Sequence, residues 1–248
     1  MSSLEQAFNL VARDSTSGSL GLVDQLCTAI AKSRAATLSA REKDALRNFS
    51  SSKKQFAVVS HFVAYLLKYT GQDVRSAVDD YRLVWEETAN QLLQKGNSRM
   101  ELFTKFLVHS HSETIVRYFK LASSTKQGIK IWQTVSLPEN EGEVQAQRLM
   151  EMGLNVQLIP DDPGQNVFQE IEAFLCGADA ISSNSFINKT GTKLLATNAQ
   201  KARKNVFVLA DPRKRIADVS QYQSIIASMD PLFEEIPSAL VTEFIDEL

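Results

Sequence analysis

The sequence of 248 residues contains little cysteine, and none of it is arranged as in a metal site. Its two cysteines, Cys27 and Cys176, lie far apart, and neither belongs to a C-x-x-C pair or a cysteine–histidine cluster. We therefore predict no structural zinc site, no metal and no cofactor. Two separate thiols are typical of a reducing compartment, so a cytoplasmic location is expected.

Long apolar runs and an excess of charge of one sign are also missing. No stretch approaches the roughly 20 apolar residues that a membrane helix needs. The N-terminus lacks the basic start and apolar core of a secretory signal. Basic residues number 27 and acidic residues 29. This balance gives no whole-chain reason to expect a membrane or a nucleic acid as partner, and we predict neither.

Two glycine-rich fingerprints are absent as well. The sequence contains neither G-x-G-x-x-G nor G-x-x-x-x-G-K-[ST], so neither a dinucleotide-binding nor a P-loop nucleotide-binding fingerprint is present. Hydrophobic residues make up 44% and charged residues 23%. These are the values of a folded globular chain rather than a disordered one.

The first part of the chain predicts helices. Apolar residues recur every three to four positions from Phe56 to Leu67 and from Val74 to Leu92, which is the spacing of one buried helix face. No segment before residue 100 alternates as a strand does. We predict a helical domain over residues 1–98.

Short apolar runs alternate with helical patterns in the rest of the chain. Such alternation predicts parallel strands joined by right-handed crossover helices. The fold class is therefore α/β, with the N-terminal helical domain followed by a Rossmann-like parallel-sheet domain over residues 99–248. The predicted strands centre on 106–108, 129–132, 156–159, 173–176 and 206–209.

Ligands of an open parallel sheet bind beyond the carboxyl ends of its strands. That rule selects His109, Ser110, His111 and Ser112 after the first strand, Asp179 after the fourth and Lys214 after the fifth. The stretch Asn188-Lys189-Thr190-Gly191-Thr192 leads into a helix, whose N-terminal N–H groups suit a phosphate.

Gly177-Ala178-Asp179 followed by this Asn188–Thr192 stretch resembles a known superfamily. It unites methylthioribose-1-phosphate isomerase, ribose-1,5-bisphosphate isomerase and the alpha, beta and delta subunits of initiation factor 2B. Three further segments agree with it: Val108–His111, Ser136–Pro138 with Glu141-Gly142, and Leu232–Val241. The resemblance covers about residues 100–248, with weaker agreement in the helices before them.

The resemblance implies a catalytic pair at Asp179 and Ser110. The family's isomerases have a cysteine at the position of Ser110, and a serine hydroxyl is far less acidic than a thiol. His109 or His111 would have to serve as its base, although neighbouring strand residues point to opposite faces. The family's E-[ST]-R-P motif corresponds to Val135–Pro138, where the glutamate and arginine are missing.

The resemblance also implies ligand-binding residues. Asn188, Lys189 and Lys214 match family positions, and Gly18 lies in the family's phosphate-loop region, which lacks the isomerases' Arg-Gly pair here. Plainer interpretations stay open: Asp179 as a turn residue, Lys214 as part of an exposed basic loop, and the acidic residues 243–247 as a solvated face. The predicted ligand-contacting residues are Asn188, Lys189, Lys214, Ser112, His109 and Gly18.

Three functions remain open at this point. The first is an initiation factor 2B-related protein that binds a phosphorylated sugar or nucleotide at a degenerate isomerase site. The second is an active aldose–ketose isomerase of a phosphorylated pentose. The third is a regulatory or assembly subunit that acts only through protein contacts. Because members of the superfamily pair through the Rossmann-like domain, the resemblance implies a homodimer.

Overall fold

The structure, a computed structural model, describes residues 3–14, 17–33, 35–71 and 73–246. The chain divides into two units, residues 1–88 and 89–248. This division falls inside the long helix α5 (Val74–Arg99), whereas the sequence places the domain boundary at the end of that helix. None of the described helices is both long and apolar enough to cross a membrane.

Helices form the first unit. Helix α3 begins at a capping box, in which Ser39 accepts from the Glu42 N–H and the Glu42 carboxylate accepts from the Ser39 N–H. Helices α1 and α4 each pack against α2 and α3. The helices before α5 are α1 (Ser3–Ala12), α2 (Ser19–Lys32), α3 (Ala40–Ser52) and α4 (Ala57–Lys68).

Strands and helices alternate in the second unit, as the sequence predicts. Its first half contains β1 (Lys105–Val108), α6 (Glu113–Thr125), β2 (Lys130–Thr134), α7 (Glu141–Glu151), β3 (Asn155–Ile159), α8 (Gly164–Glu170) and β4 (Ala173–Cys176). Its second half contains β5 (Ala180–Ile181), β6 (Ser185–Lys189), α9 (Thr192–Lys201), β7 (Asn205–Leu209), α10 (Val219–Ala227), β8 (Phe233–Pro237) and β9 (Glu243–Ile245).

Six strands form one parallel sheet in the order β3-β2-β1-β4-β7-β9. Successive residues of each central strand point to opposite faces, and both faces are covered. Phe106 and Val108 pack with α6 on one face, whereas Leu107 packs with α9 on the other. The predicted Rossmann-like architecture is confirmed.

The structure also contains a second, antiparallel sheet and an additional edge strand, β9, neither of which the sequence analysis predicted. The small sheet has the order β5-β6-β8. The interpretation of residues 243–247 as a solvated face is wrong for the part that the structure describes. Residues 243–245 form β9, the side chain of Ile245 is fully buried and Asp246 is 1% exposed; Glu247 lies outside the described residues.

The strand order reverses between β1 and β4. From β1 the chain moves through β2 to β3 on one side, and from β4 it moves through β7 to β9 on the other. A crevice opens at such a switch point, outside the carboxyl ends of the two strands. His109 to Ser112 follow β1, and Gly177 to Asp179 follow β4, so the fold brings the predicted site residues of both segments to this edge.

Candidate functional site

Six polar side chains converge at the carboxyl edge of the parallel sheet, and we name this set the polar cluster. Five come from segments that follow strands of the parallel sheet, and Lys189 ends β6 of the small antiparallel sheet. Contacts join four of them in a chain from Ser110 through Glu141 and Lys189 to Glu139, and the other two approach each other directly. The polar cluster comprises Ser110, Glu139, Glu141, Asp179, Lys189 and Lys214.

Ser110 is held in a left-handed conformation, with φ of 64°. This conformation is uncommon for a residue with a side chain, and hydrogen bonds on both sides of Ser110 maintain it. The Ser110 N–H donates to Ser136 Oγ at 2.7 Å, and its carbonyl accepts from Gln133 Nε2 at 3.1 Å. These two hydrogen bonds hold the backbone of Ser110 at the end of β1.

The partner of the Ser110 hydroxyl is a carboxylate, not a histidine. Ser110 Oγ donates to Glu141 Oε2 at 2.7 Å. The expected serine–histidine arrangement with His109 or His111 is not what the structure forms, because both imidazoles bind other groups. Glu141 thus occupies the place at which the sequence interpretation had put a histidine base.

His109 is 1% exposed and is bound on both ring nitrogens. Its Nε2 lies 2.9 Å from the Thr190 carbonyl oxygen, and its Nδ1 lies 2.7 Å from Thr134 Oγ1. A carbonyl only accepts, so Nε2 carries the proton and Nδ1 accepts from a hydroxyl. Burial lowers the pKa of His109, and the Thr190 carbonyl opposes this shift. His109 therefore links β1 to the segment before α9 as a neutral ring.

His111 faces a cation. Its Nε2 lies 3.1 Å from NH1 of Arg148, which can only donate, so this nitrogen is an acceptor. Burial lowers the pKa of His111, and the charge of Arg148 lowers it further. Arg148 is also paired with Glu113 at 2.7 Å. His111 belongs to this separate group of charges.

Lys189 is 2% exposed and lies among carboxylates. Its Nζ donates to Glu139 Oε2 at 2.8 Å and lies 3.5 Å from Glu141 Oε1. The Glu139 side chain is 32% exposed, so the crevice is open on that side of the ammonium group. Lys189 is therefore a buried cation whose two carboxylate partners are both partly exposed.

Asp179 and Lys214 form the second half of the polar cluster. Lys214 Nζ lies 4.0 Å from Asp179 Oδ1, and the two side chains are 7% and 16% exposed. Burial raises the pKa of Asp179 to about 6, Lys214 opposes this shift, and the charge of Glu141 adds to it. Lys214 is thus buried in the site, and its interpretation as an exposed basic loop is wrong.

The N-terminus of α9 is already capped. Glu234 Oε1 accepts from the N–H groups of Gly191 and Lys193, at 2.8 and 2.9 Å. These are the groups that the sequence interpretation assigned to a phosphate. Asn188 donates through Nδ2 to Thr192 Oγ1 at 3.0 Å, and this hydrogen bond connects the end of β6 to the start of α9. In this structure the N–H groups at the start of α9 therefore bind the chain's own carboxylate.

Ser112 and Gly18 have local backbone roles. Ser112 is the N-cap of α6, where its Oγ accepts from the Ile115 N–H. A Cβ added at Gly177 would lie 3.1 Å from this oxygen, so β4 and α6 approach closely there. Gly18 is the N-cap of α2 in the helical unit and has an extended backbone. The ligand contacts expected of both residues stay predictions.

Three carboxylates important to the site were not among the predicted site residues. Glu139 and Glu141 contact Lys189 and Ser110, and Asp161 accepts from the N–H groups of Ser136 and Leu137 at 2.6 and 2.8 Å. The Glu141-Gly142 motif was the signal in the sequence that could have identified Glu141 as a site residue. In the part of the chain that the structure describes, no group of three or more His, Cys, Asp or Glu residues is arranged to hold a metal ion.

Comparisons with known proteins agree with the fold and with the family that the sequence resembles. The model of the initiation factor 2 subunit family, IF-2B, matches residues 11–239. A curated ribose 1,5-bisphosphate isomerase of Haloferax volcanii is 30% identical over 144 residues, covering 58% of this chain and 45% of the relative. The corresponding protein of Archaeoglobus fulgidus is 28% identical over 160 residues, covering 61% and 51%. The chain thus spans about half the length of these relatives.

Solved structures extend the likeness to the whole chain. A Pyrococcus horikoshii protein described as translation initiation factor eIF-2B superposes with a TM-score of 0.79 at 19% identity, covering 98% of this chain and 94% of that one. The 5-methylthioribose 1-phosphate isomerase of the same organism superposes at 0.67 and 18%, covering 99% and 83%. At these identities the likeness establishes the fold alone.

Proposed function

We propose, since this chain belongs to the initiation factor 2 subunit family, that its polar cluster binds a phosphorylated sugar or nucleotide. The observation that carries the proposal is the pair of buried ammonium groups, Lys189 and Lys214, beside Asp179 at the switch point of the sheet. Ammonium groups bind phosphate as point charges, and carboxylates accept hydrogen bonds from sugar hydroxyls. One crevice offers both kinds of group.

Ribose 1,5-bisphosphate is the first ligand to test, because several relatives are named as its isomerases. Ribose 5-phosphate and adenosine monophosphate test smaller and nucleotide ligands. At ten times the dissociation constant, binding adds about 1.4 kcal/mol to stability, or roughly 3 to 5 °C in a domain of this size. Thermal unfolding at millimolar ligand concentrations measures this effect.

Variants of the two lysines locate the binding site. Lys189→Gln and Lys214→Gln should each lose the ligand-induced shift, because each removes a buried positive charge from the crevice. Lys193→Gln is the matched control, since Lys193 is exposed on the first turn of α9. Absence of stabilisation by all three ligands, or an equal shift in all three variants, would contradict the proposal.

A second candidate, an active sugar-phosphate isomerase, is favoured by the pKa of Asp179. Burial raises this pKa to about 6, which suits a carboxyl group that donates and accepts protons near neutral pH. Turnover of the same sugars is the assay, and Asp179→Asn should abolish it. Undiminished turnover by that variant would rule out a proton-transfer role for Asp179.

The predicted homodimer and cytoplasmic location remain proposals. One solved neighbour, at a TM-score of 0.66, is described as a tetrameric eIF2B complex of beta and delta subunits, which supports association through this fold. Light scattering coupled to gel filtration measures the mass directly. A monomer at micromolar concentration would contradict the homodimer.

A further inference from the structure

Glu141 is the carboxylate that contacts both Ser110 and Lys189 in the polar cluster. One of its oxygens accepts from Ser110 Oγ at 2.7 Å, the other lies 3.5 Å from Lys189 Nζ, and the side chain is 21% exposed. Its charge also acts on Asp179. The carboxylate is therefore held beside Ser110 and Lys189, and its side chain is still partly exposed.

The backbone of Glu141 is fixed by the residue after it. A Cβ added at Gly142 would lie 1.8 Å from the carbonyl oxygen of Thr134, a backbone atom that cannot move aside without shifting β2. The Gly142 N–H donates to the Val135 carbonyl at 3.0 Å. Glycine alone permits α7 to start this close to β2, and the close start aims Glu141 at Ser110.

We propose that Glu141 is the base that removes a carbon-bound proton from a phosphorylated aldose, and that Ser110 orients it. This inference rests on ligand binding at the polar cluster, as proposed above. A thiol at position 110 is not needed, because the hydroxyl there acts as a donor that holds the carboxylate of Glu141. Ser110 is thus a positioning residue, and the proton acceptor is its partner.

The proton transfers balance with these two carboxyl groups. In a sugar 1-phosphate, the Glu141 carboxylate takes the proton from C2, a C1–C2 double bond forms, the bond from C1 to the ring oxygen breaks, and protonated Asp179 gives its proton to that oxygen. The protonated Glu141 then gives its proton to C1, while the Asp179 carboxylate takes the proton of the C2 hydroxyl. The product is a ketose 1-phosphate, and no electron or proton is gained or lost overall.

Hydrogen–deuterium exchange at C2 tests the assignment apart from complete turnover. Ribose 1,5-bisphosphate is incubated in D2O with each protein, and the C2 proton is followed by NMR while thermal shifts report binding. Glu141→Gln keeps an acceptor for Ser110, so it should bind the sugar, yet its exchange should be slower by about a hundredfold or more. Glu143→Gln, two positions along α7 and exposed, should exchange at the wild-type rate.

Ser110→Ala separates positioning from packing. It should slow exchange by less than the Glu141 variant does while the sugar still binds, and Ser110→Thr, which keeps a hydroxyl donor for Glu141, should retain most of the wild-type rate. An exchange rate of Ser110→Ala equal to that of the wild type would overturn the role of Ser110.

The wild-type protein decides between the two proposals. Binding with neither exchange at C2 nor ketose formation, or reaction by Glu141→Gln at the wild-type rate, would overturn the assignment of Glu141 and leave ligand binding intact. A protein that binds none of the three ligands would remove both proposals, whereas one that fails to bind the bisphosphate alone would overturn only the assignment of Glu141. Binding with exchange that depends on Glu141 but not on Glu143 would support both.

Discussion

Arg213 and Lys214 are adjacent and both buried after β7, yet their carboxylate partners are arranged in opposite ways. Arg213 donates through Nε and NH2 to both oxygens of Asp211, two positions earlier in the chain. Lys214 lies 4.0 Å from Asp179, which comes from a different strand. The first contact is a closed, bidentate pair, and the second is longer than a hydrogen bond.

This difference separates charges that hold the fold from charges that are available to a ligand. A closed pair formed within one turn satisfies its own desolvated groups and fixes the backbone between them. The pair of Lys214 and Asp179 joins two segments that follow different strands, and its 4.0 Å separation leaves the ammonium and carboxylate groups without a direct hydrogen bond to each other. Either group is therefore available to a hydrogen-bonding group of a ligand. The carboxyl edge of the sheet contains both kinds, and only the open one belongs to the polar cluster.

The largest effect should come from breaking the closed pair. Asp211→Asn removes the charge that faces buried Arg213, and loss of one partner from a buried ion pair costs about 3 to 5 kcal/mol of unfolding free energy. Asp179→Asn, the matched change in the open pair, should lose less than about 1 kcal/mol at neutral pH, because ionised Asp179 is itself unfavourably buried. Urea unfolding at pH 7 measures both. Equal losses of unfolding free energy in the two variants would contradict the distinction between the closed and the open pair.

The pH dependence of stability sharpens the comparison further. The pKa of Asp179 rises from 3.8 to about 6 on folding, so between about pH 4 and pH 6 the folded state binds more protons than the unfolded state. Stability contributed by this group is complete at the acid end of that window and falls as pH rises through it. The difference between wild type and Asp179→Asn should change by about 2 to 3 kcal/mol across the window. A constant difference would show that Asp179 titrates as an ordinary carboxyl group.

The sequence predicts the parallel sheet better than the smaller one for a physical reason. Strands β1, β2, β4 and β7 are buried on both faces, so they appear as short apolar runs separated by helical patterns. Strand β8 reads Phe-Glu-Glu-Ile-Pro and β5 has two residues. Their pairing with β6 depends on contacts far along the chain, which leave no local periodicity.

Contacts between distant segments also limit how much of the site the sequence can predict. The rule of strand ends selects Ser110, Asp179 and Lys214 because topology brings those positions together. It does not reveal that Ser110 donates to Glu141, or that Glu234 caps α9, because these contacts depend on side-chain direction across separate segments. A glycine after Glu141 is visible in the sequence, but its reason, the close approach to Thr134, is visible only in the structure.

The smallest predicted effect concerns Lys189, whose pairing lies between the closed and the open arrangement. Its 2.8 Å contact is to Glu139, a side chain that is 32% exposed, and Glu141 at 3.5 Å stays as a second partner when Glu139 is lost. If a phosphate competes with Glu139 for this ammonium group, Glu139→Gln should tighten binding of ribose 1,5-bisphosphate by roughly two- to fivefold. Isothermal titration would measure it, with Glu143→Gln as the control for loss of a nearby negative charge. Equal affinities of the two variants would place the phosphate away from Lys189, and the open pair of Asp179 and Lys214 would then be its remaining position in the polar cluster.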